Sequence, residues 1–125
     1  MIRIDVANRS GVAQDEDAVV AVCRNVLAEE GVDDADLGVV FEPPDRMREL
    51  KRDHLGIDEA TDVLSFPIDG REPLPDGVPR QLGDVVLCPQ VVGDAWHGPL
   101  VHGLLHLLGY EHGSEMEGRE RAHAR

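Results

Sequence analysis

Apolar residues recur along this chain with two periods, and the alternation between them marks out its elements. Ile2, Ile4 and Val6 alternate with Arg3, Asp5 and Ala7, the repeat of a half-buried strand. After a turn over residues 8–11, Val19, Val22, Cys23, Val26 and Leu27 fall at helical spacing. This helix opens on Asp15, Glu16 and Asp17, where negative charge suits the helix dipole, and ends before Gly31. Leu37, Val39 and Phe41 return to the two-residue period and predict a second strand, which Pro43 and Pro44 terminate. Asp45 is placed to cap a short helix through about Asp53, anchored by Met47 and Leu50 and stopped by Gly56. Residues 61–67 are apolar on both faces, which predicts a central strand. A loop rich in Gly, Pro and Asp then leads to a fourth strand over residues 84–88, so the two strands are expected to form a long hairpin. Pro99 as first residue and Gly109 just past the end frame another short helix. Ser114 and Glu117 have the spacing of a capping box for a charged C-terminal helix, whose end is expected to fray.

Composition narrows the class of protein. A chain of 125 residues implies one domain, residues 1–125, with one main core. Hydrophobic residues make up 42% but aromatics only 3%, so aliphatic side chains build that core and stacking on aromatic rings is not a major binding device. Cys23 and Cys88 lie far apart inside apolar runs and read as reduced core thiols. The N-terminal residues lack a basic region followed by an apolar run, and no segment reaches the length of a membrane span; a soluble cytoplasmic protein with no membrane partner is expected. With 25 acidic against 12 basic residues, the net charge of −13 argues against broad attraction to nucleic acid, and no DNA partner is expected. The exception is a local basic cluster of Arg48, Lys51 and Arg52 on one helical face. It is placed to touch RNA phosphates, although a solvated helix surface has the same pattern.

The chemistry concentrates at His102, His106 and His112. The first two are four residues apart, so a helix projects them from one face, one turn apart. A left-handed Gly109 can then reverse the chain and bring His112 to the same ion. Three imidazoles suit zinc, which leaves a fourth position for water and lowers its pKa toward neutrality. A closed structural site would need a fourth protein ligand, and His97 is the nearest candidate. The spacing H-x-x-x-H-x-x-G-x-x-H also occurs in metzincin peptidases, but there a Glu follows the first histidine as general base, whereas this chain has Gly103. Asp62, Asp84 and Glu111 are other carboxylates that could orient imidazoles or handle protons; none is assigned a catalytic role.

Residues 102–112 resemble the H-G-x-L-H-L-x-G-Y-D-H signature of the YbeY family of bacterial zinc-dependent endoribonucleases. Residues 61–67 are similar to that family's T-D-V-L-S-F-P segment, and Gly83-Asp84-Val85 to its G-D-I/V element, in family order. The resemblance implies an α+β fold, a small mixed four-stranded sheet packed by helices, with the metal site on a C-terminal helix and its exit turn. It also implies one Zn2+ held by His102, His106 and His112, and hydrolysis of single-stranded or ribosomal RNA. In the family this serves maturation of ribosomal RNA, including the 3′ end of the small-subunit RNA, and ribosome quality control, with the small subunit as partner. Three departures are evident. Glu111 replaces the usual Asp; His54 and Leu55 stand where many members have Tyr-Arg, leaving Arg48, Lys51 or Arg52 as substitutes; and the segment from Asp84 to His102 is short, so the cover over the metal helix is expected to be reduced. The competing readings are a zinc peptidase-like hydrolase and a non-catalytic ribosome-assembly factor with structural zinc.

Overall fold

A computed structural model describes residues 1–56, 61–111 and 113–124. The elements run β1 (Ile2–Asn8), α1 (Glu16–Glu29), β2 (Ala35–Phe41), α2 (Pro44–Leu55), β3 (Val63–Pro67), β4 (Gln81–Leu87), α3 (Pro89–Val92), α4 (His97–Leu107) and α5 (Ser114–His123). The strands form one sheet in the order β1-β2-β4-β3. β1, β2 and β4 are parallel and β3 is antiparallel to β4, so the sheet is mixed and the expected long hairpin closes its edge. The fold is α+β, as the resemblance implied.

The expectation that residues 61–67 form a central strand is corrected: β3 lies at the edge. Its apolar character on both faces has another cause, since helices cover the sheet on both sides there. Phe41, Leu82, Val85 and Leu87 pack with the buried residues of α1 and α4 in the main core. On the other face, Leu64, Val86 and Cys88 pack with Met47 of α2, flanked by Leu50 and Phe66. Both cysteines are buried and free, and burial pushes the Cys23 thiol up to about 12.

Helix ends differ from expectation at three places. α2 starts on Pro43 as cap with Pro44 in its first turn, so Asp45 lies inside the helix. α4 starts at His97, two residues before Pro99, which still falls in the first turn where its missing N–H costs nothing. α5 is capped by Gly113 with no side-chain bond, because Ser114 is already its first helical residue and cannot accept from the turn ahead. Its end is pinned, not frayed: His123 is buried and lies 3.1 Å from Glu29 and 2.8 Å from Glu30. α3 was not anticipated at all. Among the described residues, no helix is long and apolar enough to cross a membrane.

Candidate metal centre

α4 makes the site. Leu100, Val101, Leu104, Leu105 and Leu107 turn toward the core, which leaves positions 102 and 106 half-buried on the remaining face. The two rings lie 4.6 Å apart between centroids, close to perpendicular. They look into a groove of about 820 Å³ bounded by β3, the start of the β3–β4 connection and the turn after α4.

Gly103 explains the missing peptidase base. A Cβ at this position would stand 2.7 Å from Val85 Cγ1, 3.2 Å from Ser65 Oγ and 3.3 Å from Val63 Cγ2, and the Ser65 hydroxyl donates to the Gly103 carbonyl at 3.2 Å. The residue after the first histidine therefore faces the sheet at close approach, and a glutamate has no room there.

The outer nitrogen of each ring meets an acceptor. His106 Nδ1–H donates to the Tyr110 carbonyl at 2.9 Å, and His102 Nδ1 lies 3.5 Å from Glu120 Oε2. Those acceptors put both ring protons on Nδ1 and leave the lone pairs on Nε2. The two Nε2 atoms face each other at 3.1 Å. Neutral rings so arranged have no hydrogen between them, and a cation in front of both relieves the repulsion. Two imidazoles on a tetrahedral zinc at 2.0–2.1 Å stand about 3.3 Å apart, so the pair fits such an ion.

The exit turn completes this geometry. Gly109 takes a φ of 95°, Gly109 N–H donates to the His106 carbonyl at 3.0 Å and Tyr110 N–H to the Leu105 carbonyl at 3.1 Å. These bonds close the helix end and fold the Tyr110 carbonyl back onto His106. His112, the third expected ligand, lies outside the described residues. Among the described residues, no group of three His, Cys, Asp or Glu side chains forms a metal-holding set.

The other residues singled out in the sequence divide. Lys51, Asp62 and Glu111 line the groove. Arg48 and Arg52 do not; both are exposed on α2, and Arg52 pairs with its neighbour Asp53 at 3.3 Å. The basic cluster is thus split by the helix's curvature around the groove, with only Lys51 turned inward. Asp84 lies on the opposite face of the sheet, in a hollow with His54, which meets Phe66 edge-on at 5.0 Å. His97 belongs to a separate crevice with Glu29 and His123. Glu120 was not anticipated, because its approach to His102 depends on how α5 packs against α4 and leaves no local signal.

A family model described as endoribonuclease YbeY matches residues 5–124. The chain belongs to the endoribonuclease YbeY family. Endoribonuclease YbeY of Salinispora tropica is 42% identical over 137 aligned positions, covering 94% of this chain and 87% of that protein. Those of Nocardia farcinica and Mycolicibacterium paratuberculosis are each 37% identical over 94% of this chain, covering 73% and 76% of their own lengths. The 137 aligned positions exceed the 125 residues present, so the Salinispora relative carries residues that this YbeY-family chain lacks, in keeping with the shortening read from its sequence. A solution structure of a Thermotoga maritima protein shares the fold, with a TM-score of 0.58 and 24% identity over 98% of this chain and 86% of that one.

Proposed function

We propose that this chain is a zinc-dependent endoribonuclease that cuts single-stranded RNA, acting in the cytoplasm on ribosomal RNA, including the 3′ end of the small-subunit RNA, and in ribosome quality control. Family membership supports the reaction class. The observation that carries the metal is the pair of Nε2 lone pairs of His102 and His106 facing each other at 3.1 Å at the groove wall. His102, His106 and His112 would hold the ion. Bound there, zinc supplies Lewis acidity, which activates water near neutral pH and offsets charge on phosphate oxygens.

The chain's own groups do the rest. The Tyr110 carbonyl and Glu120 fix ring orientation through Nδ1. Lys51 on the groove wall supplies positive charge for an RNA phosphate, while Asp62 and Glu111 keep the rest of the groove acidic and favourable to a cation. Gly103 counts against a peptidase, since the position of the familiar base is filled by the sheet.

The test is metal analysis coupled to RNA cleavage on one preparation, wild type against His106→Ala. About one zinc per chain with cutting of single-stranded RNA, both lost in His106→Ala, is expected; a contaminating ribonuclease is indifferent to that change. Zinc-loaded wild type that leaves single-stranded and ribosomal RNA intact, where a Salinispora relative cuts, overturns the proposal.

A further inference from the structure

Behind the exit turn, away from the groove, lies a second polar cluster centred on Glu30 at the end of α1. Its carboxylate is buried, with 2% of the side chain exposed. It accepts the Tyr110 hydroxyl at 2.7 Å, Arg119 Nε at 2.7 Å and Nη2 at 2.5 Å, Arg71 Nη2 at 3.1 Å and His123 at 2.8 Å. Burial would raise its pKa, yet the bonds from His123, Tyr110 and Arg119 outweigh that and hold it at about 2. These partners come from three places: Arg71 from the β3–β4 connection, Tyr110 from the exit turn, and Arg119 and His123 from α5.

Tyr110 joins this cluster to the imidazoles. Its hydroxyl is held by Glu30, its ring lies 6.0 Å under the Arg71 guanidinium, its N–H is bonded to Leu105, and its carbonyl receives His106 Nδ1–H. A side chain fixed at its tip and its face leaves the peptide little freedom to rotate, so the carbonyl's aim at His106 is set from 80 residues away in the chain.

We propose that Glu30 is a positioning residue for the metal centre, acting through the Tyr110 hydroxyl to hold the exit turn and the His106 ring in ligating orientation. This rests on the reading of His102 and His106 as zinc ligands. The cluster has a bland role as well, since a buried carboxylate with four partners ties α1 to α5 whatever the turn does. The two roles separate by which bond is cut. Tyr110→Phe removes only the link to the turn, whereas His123→Ala removes a link to α5 and leaves the turn alone.

The experiment measures zinc dissociation constants of the whole chain by competition with a chromophoric chelator, and the visible absorption of the cobalt-substituted protein at saturation. Tyr110→Phe is expected to weaken zinc about tenfold, the size typical of losing an outer partner of a ligand, and to shift the cobalt bands. His123→Ala is expected to lower thermal stability while leaving zinc affinity within about twofold and the cobalt bands in place. Unchanged affinity and bands in Tyr110→Phe overturn the proposal, as does equal weakening in His123→Ala, which would mean general loosening. A wild type that binds no zinc overturns the metal reading itself and is recognisable as such.

Discussion

Tyr110 stands between two polar clusters of opposite character. On its inner side Glu30 is buried and saturated: guanidiniums, a phenol and an imidazole converge on its two carboxylate oxygens. On its groove side, His102 and His106 spend their protons outward, on Glu120 and on Tyr110, and turn their lone pairs toward one another. Both clusters hold histidine and glutamate and both involve α5, so composition does not distinguish them. The difference is where the remaining valence points. A cluster whose donors and acceptors cancel contributes rigidity; one whose acceptors face each other across an accessible groove is built for something that arrives from solvent.

The sharpest way to break this contrast is to truncate the groove pair. His102→Ala and His106→Ala should each weaken zinc by more than about 100-fold, beyond the loss of any outer partner, while metal-free melting stays close to wild type. Retention of stoichiometric zinc by either variant removes that residue from the ligand set. Glu30→Ala should do the reverse in kind, costing about 3–5 kcal/mol in urea denaturation because Arg119, Arg71 and His123 lose their common acceptor. A loss near zero would make the inner cluster ornamental.

Acid probes the same carboxylate without mutation. The folded value of Glu30, about 2, lies below its ordinary 4.5, so its ionised form adds stability above about pH 5 that is lost as pH falls toward 2. Denaturation free energy measured at successive pH values should therefore drop over that window, and Glu30→Gln should flatten the drop. Gly103→Ala is expected to cost about 1–3 kcal/mol by overpacking against Val85 and Val63, despite alanine's better helix propensity. A stabilised variant would show that α4 can withdraw from the sheet. The smallest effect separates the basic residues: Lys51→Ala should raise KM for RNA about threefold and reduce its salt dependence, and Arg52→Ala should change neither. Equal effects would extend the RNA path over the outer face of α2.

Much of this arrangement was legible in one dimension. Two-residue and helical periods placed all four strands and the four longer helices, because each element alternates sides toward a core or toward water. The i, i+4 spacing of His102 and His106, followed by Gly109, already specified two rings on one face and a reversal beyond them. Element ends were less legible: Asp45, Pro99 and Ser114 each sit one or two residues from where their type suggested, since neighbouring packing sets where a helix starts as much as its capping residue does.

By itself, then, the sequence determined the metal-binding pattern, the fold class and the family, because each is written in spacing along the chain. The tertiary structure alone decided that residues 61–67 form an edge strand, that Lys51 and not Arg48 or Arg52 faces the groove, and that position 103 admits no side chain. It also brought Glu120 to His102 and Glu30 to Tyr110. Those contacts join helices that are distant in sequence, and a single chain carries no local periodicity that records which helix end will meet which turn.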